Sequence, residues 1–173
     1  MKLNIQVDKG VNEAVVEAAV RGMMRAGIIP GSISPMGEYR TVIHDHSIWE
    51  STTQWVEAVR ADHFLFENPR TLFLINKMLC VPGSHRIYGV ASRPYKTATI
   101  NVPILLDGNC DGGSKADTVQ RVETTVLHEV GHTLDLDHCY DDECTMHWSS
   151  RLADTDKKHR GYCKSCQGKV RSW

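Results

Sequence analysis

The stretch His128-Glu129-Val130-Gly131-His132-Thr133-Leu134-Asp135-Leu136-Asp137-His138 decides how this chain is read. In a helix, positions four apart differ by about 40° around the axis, so His128 and His132 project from one face. Two imidazoles so placed suit one zinc ion. His138 follows ten residues after His128, and a continuous helix would carry it about 15 Å along the axis. Zn–N bonds are only about 2.1 Å long, so a third ligand at His138 requires the helix to break after His132 and fold back. Three protein nitrogens leave a fourth tetrahedral position for water, the open arrangement of a catalytic zinc. Glu129, beside the first ligand, is placed to act as general base on that water.

Downstream, Cys139-x4-Cys144 and Cys163-x2-Cys166 form two short chelating loops. Four thiolates make a closed tetrahedral site with no room for water, hence a structural zinc. Because Cys139 follows His138 directly, such a site would tie the tail to the active-site bend. The alternatives are two disulfides, a redox dithiol at Cys163–Cys166, or a mixed site in which His147 or His159 replaces one thiolate. Cys80 reads as buried core, and Cys110 lies in a Gly-rich loop.

Upstream, Leu3, Ile5 and Val7 alternate with polar neighbours, the period of a strand. Asp8 and Gly10 open a helical stretch with Val11, Val15, Ala18, Ala19 and Met23 on one face, and Gly27 follows as its cap. Residues 30–37, rich in Gly, Ser and Pro, read as a loop. A short strand is expected over 40–44, and Ser51 with Gln54 predicts a capped helix to about Asp62. Thr71 to Leu79 reads as one buried strand, with further strands near 87–92 and 97–106. Pro94 and Pro103 mark breaks or edges. The longest helix is predicted from Lys115 to about Leu134. Strand–helix alternation followed by a Cys-rich tail predicts an α/β domain with a metal-held C-terminal lobe.

At 173 residues the chain has the size of one domain, divided here into 1–137 and a Cys-rich part at 138–173. Twenty Lys plus Arg against 21 Asp plus Glu leave a net charge of -1. That balance gives no global drive towards nucleic acid or an anionic membrane. Apolar runs fall far short of the ~20 residues of a membrane helix. The start, Met1-Lys2-Leu3-Asn4-Ile5-Gln6-Val7-Asp8, turns polar too soon for a secretory signal, so the chain is expected to be cytoplasmic; it is also expected to be monomeric.

The histidine stretch resembles the metzincin zinc peptidases, whose extended motif is HExxHxxGxxH followed by a methionine in a turn beneath the metal. His138-Cys139, Cys144-Thr145-Met146 and Cys163-Lys164-Ser165-Cys166 narrow the resemblance to the archaemetzincins, which add a four-cysteine zinc site. The resemblance covers about residues 128–166. It implies a catalytic zinc on His128, His132 and His138, Glu129 as base and Met146 under the metal. It also implies a structural zinc on Cys139, Cys144, Cys163 and Cys166, two zinc ions in all, and a peptide or protein as substrate. The implied fold is a twisted, mostly parallel sheet with one antiparallel edge strand above the cleft, packed by a backing helix and the zinc helix. Two departures stand out. The family's helix-ending Gly is Asp135 here, and the Met146-to-Cys163 spacing is one residue shorter. Asp reaches the left-handed conformation at a modest cost; a second role for Asp135 would be a carboxylate hydrogen bond to a ligand histidine.

Three other readings fit parts of the pattern. Bacterial rRNA-maturation endoribonucleases share H-x3-H-x5-H, but carry Gly where Glu129 stands and lack the cysteine quartet. A non-catalytic zinc-stabilised binding module would use the same ligands without Glu129. Peptide deformylases share HExxH but take an upstream Cys in an E-G-C context, whereas Cys110 lies in Gly-Asn-Cys-Asp. Asp107-Gly108-Asn109-Cys110-Asp111-Gly112 opens like a calcium loop, but position twelve is Thr118 instead of Glu. His44, His46, His63 and His85 read as surface or capping residues. Lys157, Lys158, Arg160, Lys164, Lys169 and Arg171 read as a solvated basic face that could grip an anionic partner or a peptide carboxylate.

Overall fold

The computed structural model describes residues 1–37, 42–43, 58–60, 64, 69–80, 87–107 and 118–170. The alternating start of the chain forms β1 (Lys2–Val7), with Leu3 and Ile5 fully buried. Asn12 then caps α1 (Glu13–Arg25), its side chain accepting from the Val15 backbone N–H at 3.0 Å. The predicted face of α1 is the buried one, and Gly27 follows with φ 74°.

The main sheet runs β2 (Ile29–Pro35), β1, β5 (Thr71–Ile75), β8 (Thr97–Asn101) and β7 (Gly89–Ser92). Every pairing is parallel except β7 on β8. This is the mostly parallel sheet with one antiparallel edge strand that the family resemblance implies. A smaller sheet orders β3 (Val42–Ile43), β4 (Ala58–Arg60) and β6 (Met78–Cys80). Alternate residues of β5 feed two cores. Leu72 and Leu74 join α1 and the long helix α3 (Thr118–Thr133), whereas Phe73 and Ile75 pack with Phe64 and Leu79. A strand buried on both faces reads as a continuous apolar run, which is why Thr71–Ile75 shows no alternation.

Four sequence expectations are corrected. Residues 29–35, expected largely as loop, form an edge strand. Its prolines are tolerated because only one side pairs, and a bulge opposite Asn4 is filled by that side chain, which accepts from Ser32 N and Oγ at 3.2 Å. The strand expected over Thr71–Leu79 splits at Asn76, whose backbone N–H donates to Asp8 Oδ2 at 3.0 Å, and the chain changes sheets there. The strand expected to run to Leu106 ends at Asn101, where Pro103 sits in the first turn of a short helix, α2 (Val102–Leu106). Within the helix expected to reach Asp62, Ala58–Arg60 pair as β4 instead; the remainder of that helix lies outside the described residues, as do 108–117 with Cys110, and His44, His46, His63 and His85.

The tail adds α4 (Leu152–Lys157) and α5 (Lys164–Val170). Cys144, Met146, Leu152, Tyr162 and Cys166 belong to the same core as Leu3 and Val126, so the tail is built onto the sheet-and-helix part through shared apolar burial. No described helix is long and apolar enough to cross a membrane.

Candidate metal centre

The helix α3 delivers His128 and His132 one turn apart, with their Nε2 atoms 3.2 Å from each other. The chain then reverses. Asp135 has φ 61°, and the N–H groups of Asp135 and Leu136 donate back to the carbonyls of His132 and Gly131 at 3.0 and 3.1 Å. This is the Schellman end of a helix, with Asp135 in the left-handed position usually held by Gly. Its carboxylate pairs with Lys96 Nζ at 2.8 Å and does not bond a ligand histidine. Asp135 therefore acts as the bend. Leu136, buried in the core, anchors the reversal.

The reversal returns His138 to the other two histidines, at ring-centroid distances of 5.3 Å to His128 and 4.9 Å to His132. One ligand atom from each of the three lies within 4.8 Å of the others. Tetrahedral bonds of about 2.1 Å put ligand nitrogens about 3.4 Å apart, so this donor set fits a zinc ion. The far ring nitrogens are also committed. His128 Nδ1 lies 2.7 Å from the Thr145 carbonyl, and His132 Nδ1 lies 2.8 Å from the Leu136 carbonyl. Carbonyls only accept, so both Nδ1 atoms donate and both Nε2 lone pairs are free for a metal. Burial holds all three imidazoles below their usual pKa, His128 at about 3, which keeps them neutral.

Glu129 is only 7% exposed, and burial raises its carboxyl to about 8. It lies against the edge strand β7 at Gly89, where a Cβ would come within 2.7 Å of Glu129 Cγ. A second close approach sits behind the histidines. Met146, fully buried, packs on α3 at Gly131, where a Cβ would meet its Sδ at 2.4 Å. The methionine expected beneath the metal is thus seated against the helix between the two ligands, and Gly131 makes the seat.

The four cysteines Cys139, Cys144, Cys163 and Cys166 also converge, with all Sγ atoms within 4.8 Å. Cys139 and Cys163 are 3.8 Å apart, and Cys144 and Cys166 are 3.9 Å apart. A disulfide needs about 2.05 Å. Four Zn–S bonds of about 2.3 Å place sulfurs about 3.8 Å apart, so the spacing fits a tetrahedral zinc. Neither His147 nor His159 joins the converging donor atoms at the thiols, which among the described residues come from the four cysteines.

A cavity of about 610 Å³ opens between β7 and the segment after Met146, and His128, Glu129, His132 and His138 line it. Several of its other residues carry no signal in the sequence. Thr145, which does not line the cavity, contributes the backbone carbonyl bonded by His128. Trp148 meets His138 edge-on at 5.2 Å but belongs to no motif. Arg93, in the β7–β8 turn, donates to the same Leu136 carbonyl that orients His132, at 3.1 Å. Lys158, read above as part of a solvated basic face, is buried instead, donating to the Thr145 and His147 carbonyls.

Fold and site together define a class: a mixed α/β protein whose longest described helix presents two histidines of a triad beside a buried glutamate, the third returning after the helix ends. The chain belongs to Peptidase family M54, whose sequence pattern matches residues 39–172. The archaemetzincin of Methanopyrus kandleri is 35% identical over 100 residues, 58% of this chain and 54% of that protein. That of Aeropyrum pernix is 31% identical over 121 residues, 70% of this chain and 63% of that protein. These alignments therefore span less than two thirds of either relative. The crystal structure of the M. kandleri archaemetzincin superposes with a TM-score of 0.74 at 24% identity, covering 99% of this chain and 94% of that one, which establishes the fold.

Three outcomes follow from this geometry. Asp135→Val places a β-branched residue at φ 61° and should destabilise the protein by at least about 1 kcal/mol more than Asp135→Asn does, measured by chemical denaturation. Gly131→Ala should cost about 1–3 kcal/mol through overpacking against Met146, although Ala is the better helix former; a stability gain would contradict the seat. The third concerns pH. In the metal-free protein Glu129 keeps its proton up to about 8, whereas the unfolded chain releases it near 4.5. Between these values the unfolded state binds fewer protons, so wild type loses stability as pH rises. Glu129→Gln lacks this loss, so its stability advantage over wild type should be near zero at pH 4, grow towards pH 8 and then level off.

Proposed function

We propose that this protein is a zinc-dependent peptidase of the metzincin type, with the HExxHxxxxxH stretch as its catalytic centre. The observation that carries the reading is the convergence of His128, His132 and His138, ring nitrogens within 4.8 Å, beside a buried Glu129 on the same helix. In this reading the three histidines hold a catalytic zinc, which when bound supplies Lewis acidity to a water molecule and to the scissile carbonyl. Glu129 accepts a proton as the water oxygen bonds to the carbonyl carbon. It then gives that proton to the amide nitrogen as the C–N bond breaks. A dication at the triad and the nearby Lys158 both favour the ionised carboxylate, opposing the effect of burial.

Cys139, Cys144, Cys163 and Cys166 hold a second, structural zinc, giving two per chain. Burial of this cluster in the shared core supports reading residues 1–173 as one catalytic unit whose tail, from 138 onward, is fixed by metal. All ligands of both sites come from one chain, which suits a monomer, and free thiols suit the cytoplasm. The substrate is a peptide or protein; a net charge of -1 offers nucleic acid no attraction.

Protein purified without chelator should contain two zinc equivalents, one lost to mild chelation and one firmly held. Glu129→Gln should retain both metals yet lose peptide hydrolysis. His138→Ala should lose the labile equivalent, whereas His147→Ala keeps it. Cys163→Ser should lose the firmly held one together with thermal stability. Turnover by fully loaded Glu129→Gln at the wild-type rate would reject the assigned base.

A further inference from the structure

We infer that the cavity beside the metal centre contains a subsite for an acidic side chain of the substrate, formed by Lys158 and Thr124. The inference rests on the peptidase reading and adds a substrate class to it. Thr124 lies one turn before His128 on α3, and Lys158 lies just beyond α4; both line the same cavity as the triad.

Lys158 is 5% exposed, so its position is one that a lysine occupies only when its ammonium has partners. Those partners are the carbonyls of Thr145, at 3.3 Å, and His147. Neither carries a charge. An ammonium has three N–H donors, so two carbonyls leave one donor for the cavity. Cys144, Glu129 and Asp154 are the anionic groups whose charges reach Lys158. Asp154 Oδ2 is engaged by the N–H and hydroxyl of Ser150 and the N–H of Arg151. Cys144 belongs to the thiol cluster, and Glu129 belongs to the reaction. Lys158 is therefore a buried cation with no hydrogen-bonded counter-ion among the described residues.

Thr124 supplies a second, independent observation. It is 1% exposed, and its Oγ1 has no hydrogen-bond partner among the described residues. A buried hydroxyl is normally satisfied. Thr125, Ser149, Ser150 and Thr155 also line the cavity and add hydroxyls to it. Among the described residues, the other fixed cation of the lining is Arg93 and its carboxylate is Glu129. A carboxylate entering this wall would take an N–H from Lys158 and an O–H from Thr124. The two carbonyls already hold the ammonium in place, so little side-chain freedom is lost on binding.

The test is a digest of a randomised peptide library by zinc-loaded protein, followed by matched Glu and Gln peptides. Asp or Glu should be enriched at one position flanking the cleaved bond, with a Glu-over-Gln ratio in kcat/KM of at least tenfold. Lys158→Met should bring that ratio close to one. Thr124→Val, which removes a hydroxyl with no partner in the protein, should leave the melting temperature intact and lower the ratio at least threefold. Loss that falls equally on both peptides, or cleavage without acidic preference, overturns the subsite and leaves the peptidase reading standing. Absence of any cleavage would instead reject that reading. In that case binding of the same peptide pair to the zinc-loaded Glu129→Gln protein still decides. Tighter binding of the Glu peptide that is abolished by Lys158→Met supports the subsite, and equal binding overturns it.

Discussion

The left-handed turn at Asp135 is the constraint on which the convergence of the three histidines depends. A helix can present two histidines on one face by itself, but the third must come from chain that has left the helix and reversed within six residues. The N–H groups of Asp135 and Leu136 close that reversal on α3, and burial of Leu136 holds it in the core. The reversal is also clamped from outside. Lys96 pairs with Asp135 at 2.8 Å, and Arg93 bonds both the Leu136 carbonyl and the Asp137 carboxylate. Both cations stand in the turn between β7 and β8, so the edge strand bordering the cavity is tied to the bend that delivers His138. A Gly at 135 would adopt the turn with less strain but could not make the Lys96 contact. The Asp thus exchanges backbone ease for a link between sheet and site.

The tail supports the centre from below. Thr145 receives His128 on its carbonyl, and its hydroxyl donates to the His159 carbonyl at 2.7 Å and accepts from the Gly161 N–H at 3.2 Å. The next residue, Met146, sits against Gly131, and its carbonyl accepts the Cys139 N–H at 2.9 Å. Tyr162 adds a hydroxyl bond to the Leu127 carbonyl of α3 at 2.8 Å. The cysteine cluster lies on the same segments, since Cys139 and Cys144 precede this turn and Cys163 and Cys166 follow Tyr162. Orientation of a histidine on α3 therefore depends on a loop whose ends are held at the thiol cluster. Loosening the cluster would reach the triad through Thr145 and Met146 without touching a ligand.

How much of this was legible in the sequence depends on the range of the interaction involved. The triad, its glutamate and the cysteine quartet were readable because each rests on spacing within a helix or a short loop. The reversal after His132 was also readable, from bond lengths alone. The edge strand β2 was not, because its prolines and glycine resemble a loop until Asn4, distant in sequence, fills the bulge. The break between β5 and β6 was hidden because Asn76 ends the first strand by bonding Asp8, again from elsewhere in the chain. Thr145 was invisible for a different reason: it acts on His128 through a backbone carbonyl, which every residue has. Lys158 was misread because composition around it is basic and polar, and only the fold buries it.

Burial of Lys158 and Glu129 in one cavity has an electrostatic consequence. Desolvation is the largest influence on both, raising the carboxyl to about 8 and lowering the ammonium to about 8. Each group is thereby pushed towards its neutral form, while each one's charge favours ionisation of the other. Neutral pH thus lies close to the titration of both groups, and the charge state of the cavity responds to what enters it. A cation at the triad favours ionised Glu129, the form able to accept a proton. A carboxylate against the Thr124 wall favours charged Lys158, the form able to hold it. The two ligands favour charge on different members of the pair, because a dication at the triad repels the Lys158 ammonium and an added carboxylate repels ionised Glu129.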